Sequence, residues 1–319
     1  MPRSNRISVV VPARDSARYI GGLLASLAAQ TRPPDEVVVV DAGSVDGTAA
    51  AVSAAAAGFP VLRLVRAGSA FPGRARNIGV RDSSGDVIAM TDSDTVPDPD
   101  WLSSISAPFD SDPGLGGVFG TYYVSPETYT QRCIAAVIMS GGKDLDGMRG
   151  AHTDSFVSAA LRKGALERAG WFREDVRAGE DMELRARLDP AGVKVAYCGA
   201  ARVRWRTPET LWGMMRRTAA YIRERALAAP FSAVALKLPA LYLALGAVFL
   251  FSPAAGLALA LLGSAARTVR AAGRLSGEER GFLLSPLNMA ALVPVYFLND
   301  IAAIAGAASA VFGRGRSGL

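Results

Sequence analysis

The sequence predicts an α/β domain with a doubly wound sheet, followed by a membrane-embedded helical region. In the first half, short β-branched runs alternate with helix-length segments, which indicates right-handed βαβ units. Residues 37–40 are four consecutive valines, as expected for a parallel strand that is buried on both faces. Between Lys237 and Arg267 there is no charged residue, and this stretch exceeds the ~20 residues needed to cross a bilayer.

The periodicity of the first hundred residues places four strands and two helices. The predicted strands are residues 7–11, 37–40, 61–65 and 86–91. The first helix, within residues 16–30, carries apolar side chains at helical spacing: Ile20, Leu23, Leu24 and Leu27. The second begins near Asp46-Gly-Thr48, with Asp46 and Thr48 as its expected cap, and runs to about residue 57. Ligands of open sheets bind beyond the carboxyl ends of the strands, so the residues after each strand are candidates for a site.

Carboxylates follow three of the four predicted strands. The segments are Pro12-Ala-Arg-Asp15, Asp41-Ala-Gly-Ser-Val-Asp46 and Asp92-Ser-Asp94. On a continuing strand Asp92 and Asp94 would point to the same face, where both could bind a hard cation such as Mg²⁺ or Mn²⁺. By itself an Asp-x-Asp pair is weak evidence for a metal site, because ordinary polar loops often contain aspartates.

The C-terminal region is predicted to hold an interface helix and membrane spans. Apolar residues recur at helical spacing from Leu211 to Ile222, with arginines mostly on the other faces, which is typical of a membrane-interface helix. A core helix packed on the sheet is the alternative. Pro253 either kinks one long span or turns a helical hairpin, and Asn299-Asp300 interrupt a second apolar segment. We therefore expect an α/β domain at 1–208, an interface helix at 209–230 and two to three spans at 231–319.

The charges of the chain suggest its orientation and its partners. Four arginines lie between the two apolar segments: Arg267, Arg270, Arg274 and Arg280. The positive-inside rule favours a cytoplasmic loop there, with a helical hairpin before it. The apolar run at residues 7–11 is too short for a signal peptide, so the first domain is expected in the cytoplasm. The net charge of +6 favours lipid headgroups rather than nucleic acid, because the arginines lie mainly beside hydrophobic segments.

Five motifs taken together resemble the inverting family 2 glycosyltransferases of the GT-A fold. They are Pro12-Ala-Arg-Asp15, Asp41-Ala-Gly-Ser-Val-Asp-Gly-Thr48, Arg74-Ala-Arg-Asn-Ile-Gly79, Ser84-Gly-Asp-Val-Ile-Ala-Met-Thr-Asp-Ser-Asp94 and Gly179-Glu-Asp181. The resemblance covers residues 7–217. It implies a doubly wound mixed sheet, a nucleotide-sugar donor with UDP favoured over GDP, and Mg²⁺ or Mn²⁺ as the cofactor.

The resemblance gives the first loops a role in binding the nucleotide. Pro12, Ala13 and Asp15 are similar to a loop that contacts the base or ribose. Asp41 is similar to the carboxylate that accepts a hydrogen bond from the nucleobase.

The later donor-side motifs resemble contacts to the rest of the donor. Arg76 and Asn77 are similar to further donor-binding residues, although Arg76 alone could equally be a surface cation at a helix start. Asp92 and Asp94 are similar to the residues that hold the ribose and the metal ion, with Asp94 favoured for direct coordination.

On the acceptor side, the resemblance implies that Asp181 is the general base and that Glu180 belongs to the same catalytic motif. An ordinary aspartate is ionised at neutral pH and can accept the proton of an incoming hydroxyl. The alternative is that the pair only caps the helix that follows. Trp171 resembles an aromatic residue that stacks on an acceptor sugar, although core packing is the default for such a residue.

One position departs from the family's pattern. The family frequently has a histidine beyond the general-base helix that completes the metal site, and here that region is Arg202-Val-Arg-Trp-Arg206. Arg204 or Arg206 could supply positive charge instead, or phosphate and water could complete the metal shell. The chain's histidine, His152, lies in a different segment.

The expected function is transfer of a sugar to a lipid-linked or glycan acceptor of the cell envelope. The enzyme is expected to be a multi-pass protein of the cell membrane with a cytoplasmic catalytic domain, in contact with membrane lipids. Arg216 and Arg217 could steer an anionic lipid phosphate. Two alternatives stay open: a non-catalytic membrane scaffold that retains the fold, and a nucleotidyltransferase, which would typically have a glycine-rich loop where Pro-Ala-Arg-Asp stands.

Overall fold

A computed structural model describes residues 5–140, 155–228, 233–273 and 277–313 of the chain. The strands in chain order are β1 Ile7–Ala13, β2 Glu36–Asp41, β3 Leu62–Arg66, β4 Val87–Met90, β5 Thr95–Pro97, β6 Gly117–Val124, β7 Ala159–Arg162 and β8 Val195–Trp205. The first helices are α1 Ala17–Ala28, α2 Thr48–Ala56, α3 Pro72–Asp82, α4 Trp101–Ser111, α5 Tyr129–Ser140, α6 Lys163–Ala169 and α7 Glu180–Leu188. The C-terminal helices are α8 Leu211–Ala228, α9 Ala233–Phe251, α10 Pro253–Ala272, α11 Gly277–Leu284 and α12 Pro286–Gly313.

Within the described residues the chain divides into two compact units. One lies within Met1–Ser125 and Gly147–Arg206, and the other within Pro126–Asp146 and Thr207–Leu319. Helix α5 therefore groups with the C-terminal helices, although the sequence analysis places it in the first domain. Arg274 and His152, named above, lie outside the described residues.

The first unit is built on a mixed sheet of strand order β3-β2-β1-β4-β7-β6-β8-β5. Strands β1 to β4 are parallel, β7 runs antiparallel to β4 and β6, and β5 runs antiparallel to β8. The four strands and two helices predicted from periodicity are all present. The mixed α/β sheet agrees with the fold class that the sequence predicts.

The valine run of β2 explains why this sheet is covered on both faces. Val37 and Val39 pack into one core together with Ile20, while Val38 and Val40 pack into a second core on the opposite face. Successive strand residues point to opposite faces, so four buried valines require apolar layers on both sides. The predicted inward residues of α1 are all buried: Ile20, Leu23, Leu24 and Leu27.

The second unit is a set of packed helices in which α8 and α12 approach closely. A side chain at Gly306 of α12 would collide with the backbone of Ala219 in α8, so glycine permits this approach. Thr218 Oγ1 of α8 also donates to Asn299 Oδ1 of α12, 2.8 Å away. The predicted amphipathic helix is therefore present, and within its own unit it packs on α12.

The charge-free stretch forms two helices rather than one straight span. Helix α9 ends at Phe251, and Ser252 Oγ caps α10 by accepting from Ala255 N. Near this break Gly256 lies directly against the ring of Phe249, so the two helices fold onto each other, as the hairpin alternative predicted.

The arginine-rich segment that was predicted as a loop is helical at its three described members, of which Arg280 lies in α11. Arg267 and Arg270 lie inside α10, and Arg267 binds Asp300 of α12 through both terminal nitrogens, at 2.5 and 3.1 Å. Tyr242 of α9 donates to the same carboxylate at 2.7 Å. Asp300, which the sequence shows only as an interruption of an apolar segment, thus ties three helices together, because a buried carboxylate requires hydrogen-bonding partners.

Large apolar side chains remain exposed on α9 and α10. They are Leu241, Leu243, Phe249, Leu250, Phe251, Leu257, Leu259, Leu261, Leu262 and Val269. In the part of the chain that the structure describes, one helix, Pro286–Ala310, is long and apolar enough to cross a membrane. An exposed apolar surface of this extent is typical of a membrane or interaction surface.

Candidate active site

The strand order places a topological switch point between β1 and β4. Strand β1 pairs with β2 on one side and with β4 on the other. Ligands of open α/β sheets bind in the crevice at such a point, beyond the carboxyl ends of the strands. Ser16, after β1, and Ser93, after β4, meet across it with their hydroxyl oxygens 2.7 Å apart.

The loops after β1 and β2 are bound to each other. The Asp15 amide donates to Ser44 Oγ at 2.9 Å, and the Val45 amide donates to Asp15 Oδ1 at 2.9 Å. Asp15 has a φ of 48°, a left-handed conformation that costs energy for a residue other than glycine and that these bonds stabilise. Asp41 is buried at the end of β2 and accepts from the Ser44 amide at 3.2 Å. Pro12 and Ala13 form the end of β1 beside them.

Asp46 joins the start of α1 to the start of α2. Its Oδ1 accepts from the amide and the hydroxyl of Thr48, while Oδ2 accepts from the Ala17 amide at 2.9 Å. The N-cap residue of α2 is Gly47, so Asp46 binds the start of the helix from one residue before the cap, which corrects the predicted cap. The hydrogen bond from the Thr48 hydroxyl is the largest of the effects that lower the pKa of Asp46. Asp46 therefore keeps a negative charge at two helix starts, where the helix dipole favours it.

Asp92 and Asp94 lie in a turn, which corrects the expectation of a continuing strand. Strand β4 ends at Met90, and the Asp92 carbonyl accepts from the Thr95 amide at 3.2 Å and from its hydroxyl at 2.8 Å. Thr91 Oγ1 in turn lies 2.7 Å from Thr95 Oγ1. The paired threonines close the turn, so its bonds rather than strand alternation set the directions of the two carboxylates.

Arg76 lies between the two groups of predicted catalytic carboxylates. Its Nη2 donates to Asp92 Oδ1 at 2.7 Å and its Nη1 donates to Glu180 Oε1 at 2.5 Å, with only 6% of its side chain exposed. Burial opposes the charge, but Asp92, Glu180 and Asp181 outweigh it and raise the pKa of Arg76. The alternative of a surface cation is excluded for this residue.

Glu180 and Asp181 are the first residues of α7, and they differ in their surroundings. Glu180 is buried against Arg76, and burial, with a smaller effect of Asp181, raises the pKa of its carboxyl even though Arg76 opposes the change. Asp181 accepts from Ser155 Oγ at 3.1 Å and from the Met182 amide at 2.7 Å. Sequence reasoning missed Ser155, because a serine in a loop carries no pattern that would single it out.

Asn77 binds the chain segment that leads to α7. Its amide donates to the Phe172 carbonyl at 2.8 Å and to Glu174 Oε1 at 2.9 Å, and its Oδ1 accepts from the Phe172 amide. With 1% of the residue exposed, the side chain serves to hold this segment, and its predicted donor contact remains a prediction. Gly73 of the same helix lies so close to the Arg173 carbonyl that a side chain there would collide with it.

Trp171 is placed differently from the predicted acceptor platform. It has a φ of 63°, and the guanidinium of Arg81 lies over its ring, 4.9 Å from the centroid. Arg81 is in the last turn of α3, whereas Arg76 is more than a turn earlier. The structure therefore brings Trp171 to the C-terminal end of α3 rather than to the carboxylates. Its stacking on an acceptor stays a prediction.

The end of β8 pairs with β5, the strand that follows the Asp92–Asp94 turn. Thr95, which follows Asp94, pairs with Trp205, which precedes Arg206, in the antiparallel register of β5 and β8. The Arg206 guanidinium lies over the ring of Tyr19 in α1, 5.7 Å from the centroid, and its Nε is buried with no hydrogen-bond partner among the described residues. A role for Arg204 or Arg206 in place of the family's histidine remains a prediction.

Asp92 and Asp94 could hold a divalent cation only if substrate phosphates and water supply further ligands. In the described part of the chain, no three or more His, Cys, Asp or Glu side chains converge as a metal site. Mg²⁺ and Mn²⁺ are commonly held by one or two carboxylates together with substrate phosphates and water. Asp92 and Asp94 fit such a shared site. Arg216 and Arg217 are exposed on α8, in the second unit.

Comparison with known proteins identifies the class to which this fold and site belong. Residues 8–170, just over half of the chain, match the family described as Glycosyl transferase family 2. The chain therefore belongs to glycosyl transferase family 2, in agreement with the resemblance of its motifs.

Individual relatives each match about three fifths of the chain. Glycosyltransferase AglE of Haloferax volcanii is 28% identical over 60% of this chain and 64% of its own length. The pre-mycofactocin glycosyltransferase of Mycobacterium tuberculosis is 32% identical over 61% of this chain, but this spans only 42% of that relative. The O-antigen chain rhamnosyltransferase RfbN of Salmonella typhimurium is 27% identical over 62% of this chain and 66% of its own length.

A solved structure confirms the fold over a greater length. Mannosyltransferase PcManGT from Pyrobaculum calidifontis, solved with GDP-Man and Mn²⁺, aligns over 98% of this chain and 89% of its own. The TM-score is 0.55 at 23% identity. At this identity the similarity shows the fold alone.

Proposed function

We propose that this protein transfers a sugar from a nucleoside-diphosphate sugar to a hydroxyl or phosphate acceptor, with inversion at the anomeric carbon. The observation that carries the proposal is the position of Arg76 at the carboxyl edge of the sheet. It joins the Asp92–Asp94 turn to the first turn of α7, where Asp181 lies. Family membership and a similar fold solved with GDP-Man and Mn²⁺ support this donor class.

The two loops at the switch point would bind the nucleotide. Asp41 and Asp15 line the loops after β2 and β1, and Ser16 begins the loop-to-helix turn at α1. The N-terminus of a helix favours bound phosphate, because its free amides and dipole attract negative charge. Asp92 and Asp94 would hold Mg²⁺ or Mn²⁺, which supplies charge neutralisation for the departing diphosphate. Arg206, which follows the strand paired with β5, would add positive charge in place of a third protein ligand.

Asp181 would accept the proton of the acceptor hydroxyl. Its Oδ2 is held by Ser155 and its Oδ1 by the Met182 amide, so the carboxylate has a fixed direction before substrate arrives. Inversion requires one base opposite the leaving group and no enzyme nucleophile. Glu180 is buried on Arg76 and would position this turn rather than touch the acceptor.

A screen of nucleotide sugars tests the proposal. Detergent-solubilised full chain is incubated with UDP- and GDP-sugars and Mg²⁺ or Mn²⁺, and transfer and hydrolysis are measured. We expect one donor to be consumed, EDTA to stop the reaction, and Asp94→Ala and Asp181→Asn each to lower the rate by about 100-fold or more. Asp189→Asn is the matched control, because it alters an exposed aspartate at the other end of α7.

Two outcomes would favour the alternatives. If no donor binds in the presence of either cation, the scaffold hypothesis replaces the enzyme. If a nucleoside triphosphate and a sugar phosphate are consumed instead, the chain is a nucleotidyltransferase.

The acceptor is proposed to be lipid-linked, or a glycan at the cytoplasmic membrane face. The exposed apolar side chains of α9 and α10, together with the membrane-length part of α12, support attachment of the second unit to a bilayer through several helices. Resistance to carbonate extraction would be expected, and full extraction would refute attachment to the bilayer.

Exposed Arg216 and Arg217 would attract an anionic lipid phosphate. Charge reversal at both should then weaken binding to vesicles that contain an anionic lipid phosphate.

A further inference from the structure

Arg76 connects two segments that are far apart in the sequence. It reaches Asp92 sixteen residues ahead and Glu180 one hundred and four residues ahead, with one terminal nitrogen on each. The side chains of Arg76 and Glu180 are 6% and 7% exposed, whereas that of Asp92 is 35% exposed. The Asp92 end of the bridge is therefore the end that a ligand can reach.

Both ends of the bridge are attached to rigid elements. Asp92 belongs to the turn that Thr95 closes through its amide and hydroxyl. Glu180 is the first residue of α7, so its backbone is continuous with that of Asp181. If the Arg76 guanidinium moves relative to Asp92, its contact with Glu180 must change as well, because the same group binds both carboxylates.

The charges around Arg76 do not balance in the ligand-free protein. One guanidinium faces Asp92, Glu180 and Asp181, which all act to keep it protonated. Its Nε is also buried without a hydrogen-bond partner among the described residues, so its donors are not all used. A cation that shares the charge of Asp92 would weaken the Arg76–Asp92 attraction and leave Arg76 to bind the α7 carboxylates more strongly.

We propose that Arg76 is a positioning residue that couples donor binding to the general-base turn. Occupation of the Asp92–Asp94 turn by a cation and a nucleoside diphosphate strengthens the existing ion pair of Arg76 with Glu180 and stabilises the first turn of α7. Asp181, which Ser155 and the Met182 amide already orient, is thereby held more firmly when a donor is present, and this favours proton abstraction in the loaded enzyme. This inference rests on the proposed function, because it assumes that the turn binds a donor.

Hydrogen exchange followed by mass spectrometry tests the coupling without activity. The probes are UDP or GDP with Mn²⁺, added to the full chain in detergent, and the readout is amide exchange in peptides that cover α7. In the wild type we expect about tenfold slower exchange at the start of α7 once the nucleotide and Mn²⁺ are bound. For Arg76→Met and Glu180→Gln the nucleotide and Mn²⁺ concentrations are raised until a separate binding measurement shows saturation, and this protection should then be less than about twofold.

Two further variants distinguish coupling from a merely structural ion pair. Arg76→Lys retains the charge but lacks the fork that reaches two carboxylates, so we expect partial protection. Arg81→Met removes an exposed arginine of the same helix and should leave protection unchanged. Glu180→Gln keeps an acceptor oxygen for Arg76, so it remains informative if Arg76→Met does not fold.

The outcomes separate the two hypotheses. If the wild type binds the nucleotide and α7 is unchanged, or if Glu180→Gln shows the same protection as the wild type, the coupling is refuted and the proposed function stands. If the wild type binds no nucleotide with Mn²⁺, the proposed function fails and the coupling fails with it.

Discussion

Glu36 is expected to stabilise the first unit through its charge, at the end of the sheet away from the candidate site. It is the first residue of β2, and its side chain is 10% exposed. Oε2 accepts from Ser8 Oγ at 2.6 Å and from the Ser84 amide at 2.8 Å, while Oε1 accepts from Arg63 at 2.9 Å. Burial by itself raises the pKa of this carboxyl, but these hydrogen bonds outweigh it and lower the pKa to about 2.

The size and sign of the effect follow from this pKa. The value falls from 4.5 to about 2, and each unit corresponds to about 1.4 kcal/mol, so the ionised carboxylate contributes about 3 kcal/mol at pH 7. Because the folded pKa is the lower one, this stability is fully present above pH 4.5 and is lost as the pH falls toward 2. At pH 3 about 1 kcal/mol should remain.

Urea denaturation of wild type and Glu36→Gln at pH 7, 5 and 3 measures this contribution. Tryptophan fluorescence is a suitable signal, because Trp101 is fully buried in the first unit. We expect Glu36→Gln to lower the free energy of unfolding by about 3 kcal/mol at pH 7, with a smaller difference at pH 3. Glu167→Gln, an exposed control on α6, should change it by less than about 0.5 kcal/mol. A difference that is the same at every pH would refute the assignment to charge.

Two structural contacts give further predictions. Gly73→Ala should lower the free energy of unfolding of the first unit by about 2 kcal/mol or more, since its Cβ would collide with the Arg173 carbonyl. Gly21→Ala, in open space on α1, should be neutral or slightly stabilising in the same urea denaturation; equal effects of the two would contradict the packing argument. Asp300→Ala should lower the melting temperature of the second unit in detergent, because it leaves Arg267 without its carboxylate. The exposed control Glu278→Ala should not, and an unchanged melting temperature in Asp300→Ala would show that the ion pair does not stabilise the unit.

Local pattern was sufficient for the strands and for the edge at which the carboxylates gather. Buried β-branched runs predict strands because side-chain alternation is a local property. The carboxyl ends of parallel strands share one edge, so Asp15, Asp41 and Asp92 could be placed together without coordinates. Such a pattern shows which residues are buried and at which edge of the sheet each strand ends.

Contacts between residues that are far apart in the sequence could not be predicted from local sequence patterns. Arg76 carries no sequence signal of burial, and its partner Glu180 follows more than a hundred residues later. The Asp92–Asp94 turn was missed for a different reason, since Thr95 closes it by side-chain bonds that resemble any threonine in the sequence. Arg267 was assigned to a loop because a charged residue usually marks the end of an apolar helix. In the structure Arg267 lies within the helix, since the buried carboxylate of Asp300 pairs with its charge.

Charge balance at the carboxyl edge argues that donor and cation bind together. Asp92, Glu180 and Asp181 act on Arg76, and Asp94 stands in the same turn as Asp92. A nucleoside diphosphate adds further negative charge, so its approach alone is opposed by the carboxylates that would hold the metal. A divalent cation reverses this repulsion at the turn and, by sharing the charge of Asp92, frees Arg76 for Glu180. The carboxylates around Arg76 thus oppose binding of a diphosphate without a cation. The same carboxylates link the binding of donor and cation to Asp181 through Arg76 and Glu180.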